Sequence, residues 1–250
     1  LDDEFFEDTV AEYEGTEEGA QELEGVILFQ VKGAPFRREW IERCEPEDVP
    51  ELAYVAVAVD PTGSDGERKP DDEQACECGI VAGGIGRDGR LYLLEDASGV
   101  LSSVEWGKRV RAMAEKWRAD EVVVEDNFGG DMVEVVLRAA SPRSRIRIRR
   151  VTASRNKYER ACLANPLWQL RKAVHVGNPQ RWIKAEHQMC SFDPNKPPRS
   201  QRSDRMDAVV WLALAAAGDG TDRQRLRGLS NAEAWARIAQ RVGGRRRASR

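Results

Sequence analysis

The chain has 250 residues, of which 41% are hydrophobic and 33% are charged, a composition typical of a globular domain with a substantial core. No apolar run approaches the roughly 18 residues that a membrane helix needs, and the acidic N-terminus lacks the basic-then-apolar pattern of a secretion signal. The five cysteines include one C-x-C pair and no second cysteine or histidine pair, which argues against a zinc site.

The net charge of −4 hides an uneven distribution. Residues 1–50 carry 16 acidic and 4 basic side chains, whereas residues 138–184 carry 13 Arg or Lys and one acid, Glu159. Such a density of positive charge predicts a surface that binds a polyanion such as nucleic acid. The alternative interpretation is a solvated helix face that binds nothing.

The predicted elements follow an acidic lead-in over residues 1–34, which ends in a segment with strand character at 26–33. Pro35 then begins a predicted short helix over 35–44. Apolar runs predict strands at 53–60, 78–86, 90–98, 121–127, 145–153 and 173–177. Helical spacing predicts helices at 102–119, 129–140, 156–173, 179–192 and 203–217.

Two boundary signals refine these helices: Ser103 is the expected cap of the first, and Pro166 is expected to break the third. Three strands of antiparallel type, followed by alternating helices and strands, predict an α/β sheet with helices on both faces. The tail, residues 218–250, predicts a linker with one short helix.

Acidic residues recur at one kind of position in this predicted sheet. Asp60 and Glu125 each end a buried strand, and Asp204 and Asp207 open the last helix. Because functional groups collect at the carboxyl ends of strands in α/β sheets, these side chains are expected to converge. A spacing of three residues also places Asp204 and Asp207 on one face of their helix.

The pair at 204 and 207 has a second interpretation. Ser203 followed by two acids in the first turn is a good helix start in its own right, since the helix dipole favours negative charge there. Only the combination with Asp60 and Glu125 favours chemistry. Four converging carboxylates would repel each other unless a cation joined them, and Mg²⁺ and Mn²⁺ prefer oxygen ligands.

Two such ions bound by these carboxylates would catalyse phosphodiester hydrolysis. The basic segment 138–184 would supply contacts to phosphates. The acids and the basic segment therefore indicate the same substrate, a nucleic acid.

Six segments in order carry a family resemblance: VAVDPTGS (57–64), DDEQACECGIVAGG (71–84), VVVEDNFGGDMV (122–133), NKYERA (156–161), VHVG (174–177) and SDRMDAVVWLAL (203–214). Together they resemble the C-terminal nuclease domain of the large terminase subunit of tailed bacteriophages, over about residues 35–217. The resemblance implies a ribonuclease H-like fold with a mixed central sheet. It also implies an endonuclease that uses two Mg²⁺ or Mn²⁺ ions to cut concatemeric double-stranded viral DNA during genome packaging.

Carried over onto this sequence, the resemblance implies that Asp60, Glu125, Asp204 and Asp207 are the catalytic metal ligands, with Asp204 the stronger candidate of the last two. Asp72 matches a loop acid that helps to bind metal in relatives.

The DNA-binding candidates come from the basic segment: Lys157 and Arg160 of the K-x-x-R-A motif, with Arg147, Arg149 and Arg155. The sequence departs from the family pattern in a long, charged loop at 61–76 and in the run at 185–188.

Large terminases also carry a packaging ATPase domain, and no G-x-x-x-x-G-K-[ST] motif occurs here. We therefore interpret residues 1–34 as a linker that follows an absent ATPase domain, with 35–217 as the nuclease domain, and we expect no ATPase activity. By resemblance the expected partners are double-stranded DNA, the packaging ATPase domain, the portal and the small terminase subunit. No membrane is expected, and the expected location is the cytoplasm of the infected bacterial host.

Three alternatives remain at this point. A Holliday-junction resolvase or transposase-like nuclease has the same fold and also uses strand-end acids. A non-catalytic DNA-binding module would need the basic segment without the acids. An actin- or sugar-kinase-like ATPase is suggested by the turn after Asp60, but the chain offers no duplicated domain to close over ATP.

Overall fold

The computed structural model describes residues 30–61, 77–126, 131–140, 146–197 and 200–217. Its strands are β1 Glu42–Cys44, β2 Leu52–Asp60, β3 Gly79–Gly86, β4 Leu91–Asp96, β5 Glu121–Glu125, β6 Arg147–Val151 and β7 Ala173–Val176. Its α-helices are α1 Ser103–Lys116, α2 Asp131–Ala140, α3 Lys157–Ala164, α4 Pro166–Gln169, α5 Ile183–Ser191 and α6 Asp204–Ala217. Short 3-10 helices lie at Arg38–Trp40, Pro46–Asp48 and Pro179–Arg181.

The seven strands form one mixed sheet in the order β1-β7-β4-β3-β2-β5-β6. Strand β3 is antiparallel to both β2 and β4, and the remaining neighbours pair in parallel. Strands β2, β5 and β6 therefore all end at the same edge of the sheet. This architecture confirms the predicted mixed α/β fold.

Both faces of the sheet are covered, and strand β2 shows how. Ala56 and Ala58 face a core that includes residues of α3, α5 and α6, whereas Val57 and Val59 face a second core formed with α1 and α2. Successive strand side chains point to opposite faces, so a strand buried on both sides is apolar throughout its centre. That requirement explains the unbroken run AVAV before Asp60.

Helix α6 lies unusually close to the sheet because of two glycines on β3. A Cβ atom added to Gly79 would lie 2.1 Å from the carbonyl oxygen of Asp204, and one added to Gly83 would lie 2.6 Å from Leu212 Cδ2. The missing side chains thus allow the first turn of α6 to rest directly on β3. The close contact fixes the height of Asp204 above the sheet.

Gly79→Ala is therefore expected to lower the free energy of unfolding by roughly 1–3 kcal/mol, the usual cost of overpacking, because the backbone of Asp204 must move. Urea denaturation measures the change. Gly99→Ala is the matched control, since its Cβ would lie 3.4 Å from the nearest atom, the end of the Arg109 side chain. Equal losses in the two variants would show that the contact between Gly79 and α6 does not limit stability.

Some predicted boundaries were wrong. The predicted helix at 35–44 is a 3-10 turn followed by strand β1, because the buried Phe36 packs edge-to-face on Trp168 at 4.9 Å and β1 pairs with β7. Ser102, not Ser103, caps α1, because only Ser102 has a glutamate three residues later to complete a capping box.

Of the other predictions, one is confirmed, one is wrong, and two concern segments outside the described residues. The break at Pro166 is confirmed, since α4 begins there. Residues 30–33 form a turn, not the end of a strand, and Gln30 and Val31 hydrogen-bond to the carbonyl of Cys190. Residues 1–29 and the tail 218–250 lie outside the described residues. In the described part of the chain, no helix has both the length and the apolar character required to cross a membrane.

Candidate active site

Two of the predicted acids are neighbours at the edge of the sheet. Asp60 is the last residue of β2 and Glu125 the last residue of β5. The two strands are parallel, with Val59 opposite Val124, so the acids that follow these residues leave the sheet side by side.

Helix α6 brings the other two acids to the same place. Lys157 Nζ, from the start of α3, lies 2.5 Å from Asp207 Oδ2, 3.8 Å from Asp60 Oδ2 and 3.9 Å from Asp204 Oδ1. Glu125 joins the group through Arg160, whose Nη2 lies 2.7 Å from Asp207 Oδ1 and 3.7 Å from Glu125 Oε2. The structure thus gathers four acids and two bases into one cluster, termed here the carboxylate cluster.

The four carboxylates differ in exposure. The side chains of Asp60 and Asp204 are 15% and 19% exposed, whereas those of Glu125 and Asp207 are 3% and 0% exposed. Trp211 Nε1 donates a hydrogen bond of 2.7 Å to Glu125 Oε2, and the Arg160 guanidinium lies 4.9 Å from the centre of the Trp211 ring. Arg160 and Trp211 therefore orient the two buried acids, whereas Asp60 and Asp204 each retain a small exposed fraction.

The electrostatics of the cluster show an excess of negative charge. Burial raises the pKa of Asp60 well above its ordinary value, and the Asp207 carboxylate raises it further, against the opposing effect of Lys157. Burial also raises the pKa of Asp204. The pKa of Lys157 is raised, because the attraction of Asp207 and Asp60 outweighs the lowering effect of burial. A cluster with more carboxylates than bases favours the uptake of a further cation.

The donors suit a hard divalent cation, since all four are carboxylate oxygens. Among the described residues, however, no group of three or more His, Cys, Asp or Glu side chains is already arranged around a metal position. Lys157 Nζ lies where three of the carboxylates converge. The donor set therefore fits a metal ion chemically, provided that the Lys157 ammonium moves aside.

The predicted DNA-binding residues do not share one environment. The Arg149 side chain is 10% exposed, with Nη2 2.7 Å from Glu121 Oε1, and Arg160 is buried against Asp207. Arg147 is exposed but pairs with Glu121 in register, at the opposite edge of the sheet from Glu125. Arg155 is exposed, and its carbonyl oxygen accepts a hydrogen bond of 3.0 Å from Arg160. The structure thus places Lys157 and Arg160 in the carboxylate cluster and the backbone of Arg155 beside it, whereas Arg147 and Arg149 lie elsewhere.

Sequence reasoning missed several residues here. Lys184 and Arg202 are exposed and lie close enough to Glu77 to lower its pKa, after the stronger effects of burial, which raises it, and of Arg205. Together with Arg155 they are termed the basic rim. In the sequence, Arg202 could have been identified from its position directly before the motif S-D-R-M-D. The helical spacing of Trp211 predicts a core residue, and nothing in the sequence indicates its hydrogen bond to Glu125. Asp72 lies outside the described residues.

Comparison with known proteins places this geometry in a family. The family model described as the terminase RNaseH-like domain matches residues 57–217. A mutant nuclease domain of the large terminase subunit gp2 of bacterial virus Sf6, solved with manganese and beta-thujaplicinol, is similar with a TM-score of 0.51 and 11% identity. That match covers 75% of this chain and 100% of the other.

Two further solved structures are more distant. The large terminase of a thermophilic bacteriophage has a TM-score of 0.48 and 8% identity, over 72% of this chain and 44% of that one. The yeast mitochondrial Holliday junction resolvase Ydc2 has a TM-score of 0.42 and 9% identity, over 80% and 86%. The likeness to the Sf6 domain, at 11% identity, establishes the fold alone.

No curated protein sequence matches the chain significantly. The family model, by contrast, extends from the middle of β2 to the end of α6 and includes every residue of the carboxylate cluster. Since it covers more than half of the chain, the chain belongs to the terminase RNaseH-like domain family.

Proposed function

We propose that this protein is a divalent-metal-dependent endonuclease that cuts concatemeric double-stranded viral DNA during phage genome packaging. The observation that carries the proposal is the carboxylate cluster at the ends of β2 and β5 and the start of α6. Membership of the terminase RNaseH-like domain family and the name of a similar structure, a terminase nuclease domain, support the choice of reaction and process.

In this proposal Asp60, Glu125, Asp204 and Asp207 hold two Mg²⁺ or Mn²⁺ ions. When bound, such ions activate a water molecule and stabilise the leaving oxygen of a phosphodiester. The partly exposed carboxylates of Asp60 and Asp204 lie on the side from which the substrate would approach. The buried carboxylates of Glu125 and Asp207 are held by Trp211 and Arg160.

Lys157 supplies positive charge at the same place. Its Nζ donates a hydrogen bond of 3.0 Å to Ser203 Oγ and contacts Asp207. When metal binds, this ammonium moves aside from the carboxylates and stays next to the cluster. An approaching phosphate would meet this ammonium beside the two exposed carboxylates. Lys157 therefore offsets the repulsion between the DNA backbone and the acids.

The decisive experiment is cleavage of linear duplex DNA and of four-way junctions, with Mn²⁺ or Mg²⁺ present and after its removal by EDTA. We expect cleavage of the linear duplex only when metal is present. Selective cutting of junctions would favour a resolvase instead. Binding without cleavage under all metal conditions would favour a non-catalytic DNA-binding module, and thermal stabilisation by ATP without cleavage would favour the kinase-like alternative.

DNA contact is proposed at Lys157 and the basic rim. Lys157 is partly exposed within the cluster, and the exposed Lys184 and Arg202 lie near Glu77, whose backbone N–H contacts Asp204. The double variant Arg155→Ala/Arg202→Ala is expected to reduce the slope of log K against log salt by about 2, since each lost phosphate contact contributes about 1. Filter binding at several salt concentrations measures the slope. Arg171→Ala is the control: Arg171 is 49% exposed and ion-paired with Glu42, just before β7 at the opposite edge. A reduction of the same size in this control would show that the rim has no special role.

A further inference from the structure

A second polar network lies behind the carboxylate cluster, centred on Arg205. This arginine follows Asp204 directly and is 7% exposed. Its Nε and Nη2 each donate a hydrogen bond of 2.7 Å to one oxygen of Glu77. Its Nη1 donates to Asp96 Oδ2 at 2.8 Å, and Nη2 also donates to the carbonyl of Ser98 at 3.2 Å. Every nitrogen of the guanidinium is therefore engaged.

Glu77 connects this network to Asp204. Its backbone N–H donates a hydrogen bond of 3.1 Å to Asp204 Oδ2, while its side chain holds Arg205. The other oxygen of Asp204, Oδ1, faces Lys157 Nζ. One oxygen of the candidate ligand is thus fixed by a backbone amide, and the other faces the centre of the carboxylate cluster.

Gln188 of α5 completes a closed ring. Its side-chain Oε1 accepts hydrogen bonds from the backbone N–H groups of Arg205 at 2.8 Å and Met206 at 3.3 Å, and its Nε2 donates to Glu77 Oε2 at 3.3 Å. The first N–H groups of a helix have no partner within the helix. A side chain from another helix satisfies them here, which locks the first turn of α6 against Glu77.

The stability of the fold does not by itself explain why such a network is present. Buried ion pairs can often be replaced by apolar residues of similar size without loss of stability. Arg205 does, however, fix a geometry: the guanidinium fork matches both oxygens of Glu77, and Glu77 in turn holds Asp204. Removing a residue that orients a metal ligand commonly weakens the affinity for the metal by about 10–100-fold.

We propose that Arg205 and Gln188 are positioning residues that hold Asp204 through Glu77 in the orientation that binds metal. The inference rests on the proposed function, because it assumes that Asp204 is a metal ligand. Neither residue touches the substrate. Their effect is on the affinity of the cluster for the ion.

The test measures the affinity for Mn²⁺ in the absence of DNA, for the wild type and for Arg205→Lys. Electron paramagnetic resonance reports the concentration of free Mn²⁺. Lysine keeps the positive charge but loses the fork, so we expect the Kd for Mn²⁺ to rise about tenfold or more. Cleavage is expected to recover at high Mn²⁺ concentration. In the metal-free protein, hydrogen exchange at the Glu77 amide is expected to become faster, because its acceptor is no longer held in place.

Arg43→Lys is the matched control, since Arg43 forms a similar fork with Glu186 at 2.7 and 2.9 Å on strand β1. It is expected to lower stability and leave the Kd for Mn²⁺ within about twofold. Should Arg205→Lys fail to fold, Gln188→Met removes the acceptor for the two helix N–H groups without changing charge, and the same weakening of Mn²⁺ binding is expected.

The outcomes separate the two claims. A wild-type protein that binds no Mn²⁺ and cuts no DNA overturns the proposed function and this inference with it. If the wild type binds Mn²⁺ and cuts DNA, but the folded Arg205 and Gln188 variants bind the ion as tightly, the inference alone is wrong. Equal weakening in Arg43→Lys would also overturn it, because the effect would then follow from lost stability.

Discussion

Asp60→Asn is expected to lower the rate of metal-dependent DNA cleavage on the order of a thousandfold, comparable to the loss of other preorganised charged groups in active sites. Asparagine keeps the shape of the side chain and removes its charge, at the position where β2 and β5 end together. DNA binding is not expected to weaken, because the substitution removes a repulsion from the phosphates. Single-turnover cleavage and filter binding measure the two effects separately.

Asp126→Asn is the control for this substitution. Asp126 follows Glu125 directly, is similarly exposed at 19%, and is ion-paired with Arg150 outside the cluster. It is expected to retain most of the cleavage rate. If Asp60→Asn cut DNA at the wild-type rate, Asp60 would not be part of the catalytic site, even though it lies beside the other acids.

Glu186→Leu is expected to lower the free energy of unfolding by about 3–5 kcal/mol, the cost of breaking a buried ion pair by removing one partner. Glu186 is 1% exposed. It accepts two hydrogen bonds from Arg43, and its Oε1 lies 2.7 Å from His175 Nδ1. Trp168 Nε1 donates to His175 Nε2 at 3.0 Å. Because an indole N–H can only donate, His175 must carry its proton on Nδ1 and donate to Glu186.

The same group sets a pH dependence. Burial raises the pKa of Glu186, but hydrogen bonds from Arg43 and His175 lower it to about 2 overall, whereas an unfolded glutamate titrates near 4.3. The stabilisation is therefore fully present above about pH 4.3 and is lost as the pH falls through about 2. Urea unfolding at pH 7 and pH 3 is expected to show a smaller acid loss in Glu186→Leu than in wild type.

Glu51→Gln serves as the exposed comparison, because Glu51 pairs with Arg87 where both side chains are about two-thirds exposed. No measurable change is expected at pH 7. If Glu186→Leu behaved in the same way at pH 7, the buried network around His175 would contribute nothing to stability.

The sheet was predictable because its strands are buried on both faces. Unbroken apolar runs such as 53–59 and 122–124 occur where a strand has no solvent side, and each is followed by the acid that marks the edge of the sheet. The register of Val59 with Val124, which places Asp60 beside Glu125, depends on tertiary pairing and has no local signal.

The role of the basic residues was less accessible to sequence reasoning. Arg149 and Arg160 contribute to the dense positive charge of 138–184, yet both are ion-paired with carboxylates from other elements, Glu121 and Asp207. A count of charges does not reveal which of them are paired. Arg205 and Gln188 were missed for the same reason, since their common partner Glu77 is more than 100 residues away in the sequence.

The position of α6 has a consequence for synthesis of the protein on the ribosome. This helix packs on β2 and β3 and carries Asp204 and Asp207, yet it is the last of the described elements in chain order. Until it emerges, one apolar face of the central strands lacks its cover and Asp60 and Glu125 have no partners from α6. A nascent chain therefore cannot assemble the carboxylate cluster before α6 has left the ribosome. A chain truncated before residue 204 would expose one face of the sheet and would lack two of the four acids.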